Sequence, residues 1–239
     1  MVNRIENVMS AFDQNGLSDV ITKESAEKLC KLSDLLVETN KMFNLTAITD
    51  EQEIILKHFV DSATILRFIP FGASVIDIGC GAGFPSLPIA ILRGDIKVTS
   101  LDSTKKKVDF VNFVAEKLNL LNLTGICARA EEYVAERRQN FDICTSRAVA
   151  RLNVLSELCL PYVKVGGSFV AMKSNKLAEE YDEEKIGIVK LGGRFDGTNE
   201  FLLNFAGNEI SREISVFVKC KDTPMEYPRK YSQILKRPL

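Results

Sequence analysis

Between residues 73 and 172 short apolar runs alternate with helical patterns, and this alternation restricts the possible folds more than any other feature of the chain. Ser74 to Ile78, Lys97 to Leu101, Leu123 to Ala128, Phe141 to Thr145 and Ser168 to Met172 each fit a buried strand. Pro85 to Arg93, Lys105 to Leu118, Glu131 to Arg138 and Asn153 to Val163 fit the helices between them, the last bent or ended near Pro161. Pro85 is expected in a helical first turn, where its missing N–H costs nothing. Strand and helix at this spacing imply βαβ units, hence a mostly parallel sheet covered on both faces. The tail, Ile186 to Lys221, reads as strands with hairpin-like turns that close the sheet with an antiparallel edge.

Residues 1–70 read as helical. Thr22 is placed to cap a helix carrying Ala26, Leu29, Cys30, Leu32, Leu36 and Val37 on one face, and Asp50 with Glu53 suggests a capping box for the next helix. Pro70 and Gly72 then break the pattern. The expectation is an α/β, doubly wound domain over 71–239 with a basic tail, and an N-terminal helical region, 1–70, packed on it.

Composition narrows the function. With 46% hydrophobic and 26% charged residues, the 239-residue chain is not a disordered one. A formal net charge of -1 means that no whole-protein field draws it onto nucleic acid, so any such contact must be local. The longest apolar stretch, near Phe84 to Leu92, is too short for a bilayer and no signal-like run follows Arg4, so a cytoplasmic location is expected. The six cysteines form no C-x-x-C pair and His58 is the sole histidine, which disfavours a metal site. Most of the cysteines, Cys127 and Cys144 among them, are expected to be small buried hydrophobes.

The segment Val75-Ile76-Asp77-Ile78-Gly79-Cys80-Gly81-Ala82-Gly83-Phe84-Pro85 joins the first strand to its helix. Alternate glycines allow a tight turn close to a ligand, and the helix behind is expected to offer free N–H groups. The spacing is G-x-G-x-G, not the G-x-G-x-x-G of nicotinamide loops, and Asp77 stands two positions before the first glycine. A carboxylate at the loop mouth would repel a diphosphate and attract an ammonium. S-adenosylmethionine carries both an ammonium and a sulfonium. Asp102 follows Gly83 by 19 residues at the end of the second strand, where a carboxylate accepts from ribose hydroxyls. Its plain alternative is an N-cap for the helix after Thr104. Glu131 follows the third strand, next to where an adenine would lie, or simply favours a helix start. Arg147 ends the fourth strand, with Arg151 a turn beyond; it is placed to hold a phosphate or position a base, or else forms a surface ion pair.

Four stretches give a more specific signal: Phe43-Asn44-Leu45-Thr46-Ala47-Ile48, Lys57-His58-Phe59-Val60-Asp61-Ser62, Asp77 through Pro88, and Thr145-Ser146-Arg147-Ala148-Val149-Ala150-Arg151-Leu152. With Tyr227-Pro228-Arg229-Lys230 and Lys236-Arg237-Pro238-Leu239, they make the chain resemble the glucose-inhibited division protein B (RsmG) family, bacterial methyltransferases acting on guanine N7 of small-subunit rRNA. Cys80 and the apolar run Tyr231 to Leu235 depart from the expected pattern. The resemblance implies the class I S-adenosylmethionine-dependent methyltransferase fold, with cofactor contacts at Gly79, Phe84, Ala130, Glu131 and Arg147. The residue reading adds Gly81 and Asp102. The implied partner is 16S rRNA or the small ribosomal subunit, without metal or membrane, and the chain is expected to act as a monomer.

Guanine N7 has an in-plane lone pair and no proton, so methyl transfer to it needs no general base. Ser146-Arg147 stands where a C5-pyrimidine enzyme would carry Pro-Cys, and no Asn/Asp-Pro-Pro-aromatic run marks an exocyclic-amine enzyme. Arg147 is then a positioning group, and its loss is expected to cut turnover more than stability. RNA contact is expected from Arg147, Arg151 and the tail, where Lys219, Lys221, Arg229, Lys230, Lys236 and Arg237 face only Asp222 and Glu226. Lys105-Lys106-Lys107 is a second basic run that equally reads as a solvated helix start, and Tyr227 or Tyr231 is either a base-stacking or a packed aromatic. His58 is expected to brace the cofactor loop as a partly buried side chain. A small-molecule methyltransferase, a nicotinamide-dependent oxidoreductase and a binding module without chemistry are the alternatives.

Overall fold

In a computed structural model, which describes residues 2–147, 150–173 and 185–239, seven strands form one sheet in the order β3-β2-β1-β4-β5-β7-β6. The strands β1 (Ser74–Ile78), β2 (Lys97–Asp102), β3 (Leu123–Cys127), β4 (Phe141–Arg147) and β5 (Val163–Lys173) pair in parallel. The hairpin of β6 (Gly193–Phe205) and β7 (Asn208–Lys219) adds the antiparallel edge, with β7 inside against β5. The chain steps outward from β1 to β3 and then returns to the other side of β1 for β4. That reversal opens a crevice at the carboxyl ends of β1 and β4, where open α/β sheets bind ligands.

Alternation along the strands divides the core in two. Val75, Ile143, Val170 and Ile214 point to one face, packed by the N-terminal helices and by the helices Ser86–Leu92 and Lys105–Lys117. Ile76, Ile78, Cys144, Phe169, Ala171 and Phe217 point to the other, covered by Ala130–Arg137, Leu152–Cys159 and the 3-10 turn Leu160–Tyr162. Pro161 thus tightens the helix end, as its missing N–H requires. Pro85 is the N-cap of its helix, one position before the expected first turn.

Of the N-terminal helices, Val2–Gln14 and Lys23–Phe43 pack on the first face. Thr22 caps the second, with Ser25 returning the bond to complete a capping box. Asn15 docks the first helix on the edge strand, exchanging two hydrogen bonds with the backbone of Asn204. Residues 51–68 are continuously helical but not uniform. An α turn over Glu51–Ile54 widens into a π-helix over Ile55–Val60, narrows at Asp61–Ala63 and ends as a 3-10 helix over Thr64–Phe68. Asp50 does cap its start through Glu53 N–H, but the Glu53 side chain pairs with Lys57, so the expected box is only half made.

Cys30, Cys80, Cys144 and Cys159 are buried as expected, whereas Cys127, at the end of β3, is exposed, as is Cys220. Among the described residues no helix is long and apolar enough to cross a membrane, and no cluster of His, Cys, Asp and Glu is arranged to hold a metal ion. Ala148 and Val149 of the fourth-strand stretch lie outside the described residues.

Candidate active site

The glycine loop crosses the carboxyl end of β1 with Gly79, Gly81 and Gly83 all at positive φ. At Gly83 a Cβ would also crowd Leu87, 2.4 Å from its Cδ1, whereas at Gly81 it would meet nothing within 4 Å. Most of the N–H groups expected to be free at this loop are already taken. Gly79 and Cys80 donate to Leu101 O, Gly83 and Phe84 to Cys80 O, Leu87 to Gly83 O, and Ser86 to Asp77 Oδ2. Gly81 N–H donates to Asp102 Oδ2 at 3.0 Å. A loop whose amides are turned inward is a poor cradle for a pyrophosphate, which needs those donors.

Asp77 is not at the loop mouth. It is fully buried beneath the loop, with Oδ1 unpartnered, because β1 is a central strand and the helix Ser86–Leu92 closes over it. Burial raises its pKa to about 7, against the weaker opposing pull of the Ser86 hydrogen bonds and of Arg147. An unfolded aspartate titrates near 3.8, so between about pH 4 and 7 the folded chain binds more protons than the unfolded one. Asp77 therefore favours folding below about pH 4, and that contribution is lost as pH rises through 7. We predict that Asp77→Asn flattens this fall, measured as the difference in urea stability between the two proteins from pH 4 to pH 8. Identical profiles would show that Asp77 titrates normally.

Asp102, at the end of β2, is 9% exposed. Its Oδ1 accepts from Thr104 N–H at 2.8 Å and its Oδ2 from Gly81 N–H, so one side chain ties the loop to the β2 end. The N-cap alternative fails: Thr104 holds the cap position of the helix Lys105–Lys117, and Asp102 closes the turn before it. Each carboxylate oxygen keeps a second lone pair for a ligand.

Gly79, Asp102, Ala130 and Glu131 all line one cavity of about 270 Å³ at the ends of β1, β2 and β3. Lys107, 4.0 Å from Asp102, and Tyr231 complete its wall. Tyr231 opens the tail helix Tyr231–Lys236, which docks through Ile234 on Val154 and Leu158. Within the run 231–235 only Ile234 is buried, while Leu235 remains 54% exposed.

Gly81, Phe84 and Arg147 do not line that cavity. Gly81 serves the loop's own geometry, and Phe84, 4% exposed, stacks on His58 with ring centroids 4.1 Å apart and planes 9° from parallel. His58 thus braces the loop, as expected. Burial, then the Arg147 charge, lowers its pKa to about 3, so it is neutral near pH 7. Arg147 Nη2 is a donor only, so His58 Nδ1 accepts from it at 3.3 Å, and the ring proton sits on Nε2, 3.3 Å from Thr46 Oγ1. Arg147 is not a surface ion pair. Its Nη1 donates to Lys57 O at 2.8 Å and to Asp61 Oδ2 at 2.9 Å, and Asp61 is 1% exposed. The other Asp61 oxygen accepts from Arg212 Nε at 3.0 Å. These groups edge a second cavity of about 210 Å³. Sequence reasoning placed Lys57 to Ser62 in an informative stretch but assigned Asp61 no role. Arg212 comes from the hairpin, 151 residues away, and nothing local in the sequence marked it.

The basic tail divides. Lys219 is fully buried, its ammonium donating to Leu160 O, Leu191 O and Thr223 Oγ1, and burial lowers its pKa to about 8; it is no RNA contact. Arg229 is committed to Glu157, itself 0% exposed, through its backbone N–H and guanidinium. Tyr227 is buried between Lys190 and Arg229. Arg151, Lys230, Lys236 and Arg237 are exposed. In the second basic run Lys105 pairs with Asp109, Lys106 with Phe43 O and Lys107 approaches Asp102.

A family model described as GidB, rRNA small subunit methyltransferase G, matches residues 25–203. The chain is 44% identical over 233 residues to Ribosomal RNA small subunit methyltransferase G of Clostridium perfringens (strain 13 / Type A), covering 96% of each protein. It is 45% identical over 211 residues to the protein of that name from Staphylococcus carnosus (strain TM300), covering 86% of this chain and 87% of the relative. Among solved structures, a SAM dependent methyltransferase from Aquifex aeolicus aligns with a TM-score of 0.52 at 18% identity, covering 71% of this chain and 94% of that one. The [4+2]-cyclase SpnF aligns with a TM-score of 0.55 at 14% identity, covering 67% and 82%. These two likenesses show the fold alone, and SpnF illustrates that the fold does not fix the reaction.

Proposed function

Since the chain belongs to the GidB family of small-subunit rRNA methyltransferases G, we propose that its crevice serves methyl transfer from S-adenosylmethionine to N7 of a guanine in 16S rRNA. The observation that carries the cofactor assignment is the 270 Å³ cavity at the strand ends, walled by Asp102 and Glu131 with Lys107 and Arg129 beside them, behind a loop most of whose amides are already used. Those acceptors fit the hydroxyls of a nucleoside, and the loop, with few N–H groups left to give, does not fit the pyrophosphate of a dinucleotide. In this reading Asp102 accepts from the ribose hydroxyls, Ala130 and Glu131 flank the adenine, and Gly79 faces the amino-acid end. Gly81 shapes the turn, while Phe84 and Arg147 act from the neighbouring wall.

S-adenosylmethionine supplies, when bound, an electrophilic methyl on a sulfonium. The protein's task is orientation, because N7 attacks with its own lone pair and gives up no proton. His58 fits this account, since it is neutral and both ring nitrogens are engaged. Alignment alone contributes up to about 7–11 kcal/mol to such a barrier. Arg151, Lys230, Lys236 and Arg237 are the exposed cations we assign to RNA phosphates, with Arg229 holding the tail in place. The test has two arms. Calorimetry is expected to show binding of S-adenosylhomocysteine and none of NAD. Mass mapping is expected to show a 7-methylguanosine missing from the 16S rRNA of cells lacking the chain and restored by its return. Tight NAD binding, or an unchanged rRNA map, would refute the assignment.

A further inference from the structure

The second cavity, edged by Arg147 and Arg212, is built around a buried carboxylate that it does not offer to a ligand. Asp61 Oδ2 is taken by Arg147 and Oδ1 by Arg212. Two guanidiniums sharing one carboxylate leave at least one unit of positive charge at the cavity wall, which Lys173 also lines. Lys57, also on the wall, is balanced by Glu53. The donors are not exhausted. A guanidinium has five N–H groups. The bonds named above, with the one from Arg212 Nη1 to Ser211 O, take two on Arg147 Nη1, one on its Nη2, and one each on Arg212 Nε and Nη1. Both arginines therefore retain N–H groups to give. Ile48 and Met172 supply apolar wall.

The local backbone explains how the cluster forms. Over Ile55–Val60 the helix is widened to a π-helix, and Lys57 O within it accepts from Arg147. Single π turns of this kind are frequent at functional sites. Lys57 O, His58 and Asp61 thereby converge on the one guanidinium, while the hairpin brings Arg212 to the other side of Asp61.

We propose that this second cavity is a phosphate-reading subsite, in which Arg147 and Arg212 bind a phosphodiester beside the target guanine while Asp61 acts as the positioning residue that fixes both guanidiniums. The inference rests on the methyltransferase reading above and deepens it. A site presenting donors and net positive charge selects an anionic, acceptor-only group, and a phosphodiester is that group in RNA. The Watson–Crick edge of guanine, which needs an acceptor for its N–H groups, gains nothing from a carboxylate already shared by two arginines. Neither arginine is expected on N7, because a donor there would block the lone pair that attacks.

The test uses Arg212, which lies outside the cofactor cavity. In Arg212→Met the KM for small ribosomal subunits is expected to rise at least about tenfold, the loss of a charge-assisted contact, with S-adenosylhomocysteine affinity unchanged. The log–log salt slope of RNA binding is expected to fall by about one. Arg212→Lys is expected to restore the slope. With the wild-type enzyme, guanosine 5′-monophosphate is expected to compete with RNA, but not with S-adenosylmethionine, at least about tenfold better than guanosine. An Arg212→Met protein with wild-type KM and slope overturns the proposal, as does guanosine competing as well as its monophosphate; if the variant does not fold, the competition decides. A wild-type protein that methylates no rRNA would instead overturn the function on which the subsite rests.

Discussion

Arg147→Ala is expected to lower stability by about 3 kcal/mol as well as turnover. Removing one partner of a buried ion pair typically costs about 3–5 kcal/mol, since the other charge is left uncompensated. The lower end applies here because Arg212 still holds one oxygen of Asp61. The substitution also frees Lys57 O and removes the cation stacked near Phe84, 5.5 Å from its ring centroid. The sequence-based expectation of a loss mainly of turnover is therefore revised, since the residue holds a buried ion pair besides the role proposed for it. Urea denaturation with an unchanged m-value, beside methyl-transfer assays, measures both effects. A variant as stable as wild type would show that Asp61 does not depend on this partner.

Asp102→Ala is expected to weaken S-adenosylhomocysteine binding about a hundredfold, two lost hydrogen bonds to a charged group each contributing about 1.5–3 kcal/mol less some relaxation. It leaves the N–H groups of Gly81 and Thr104 without their acceptor. A stability loss of about 1–3 kcal/mol is expected with it, so the fold is retained but the loop is loosened. Asp102→Asn keeps one carbonyl oxygen and is expected to fall between. A dissociation constant unchanged in the alanine variant would remove Asp102 from the site.

The parallel sheet was legible because its strands and helices are separate periodic runs, and β1 spans Ser74–Ile78 as its pattern predicts. The wall of the strand-end cavity was legible in part for a related reason: in an open sheet the strand ends converge on one crevice, so Gly79, Asp102 and Glu131 could be placed together by topology. What sequence could not show was direction and depth. Asp77 reads as a loop-mouth charge, yet a central strand under a helix buries it. Lys219 reads as part of a basic tail, yet alternation along β7 turns its stem inward, where two carbonyls and Thr223 satisfy the ammonium. Arg212 was invisible because its partnership with Asp61 spans most of the chain. Tyr231 belongs to a helix whose docking residue, Ile234, meets a different segment.

The inward-turned amides of the glycine loop bear on how the donor arrives. Because Leu101 O, Cys80 O and Asp102 already hold the turn, its conformational entropy is surrendered when the chain folds and not when the donor enters. Such preorganisation favours tight association without an ordering penalty. The apo and loaded loops should then superimpose closely, and donor capture should be governed by diffusion into the crevice rather than by closure of a lid.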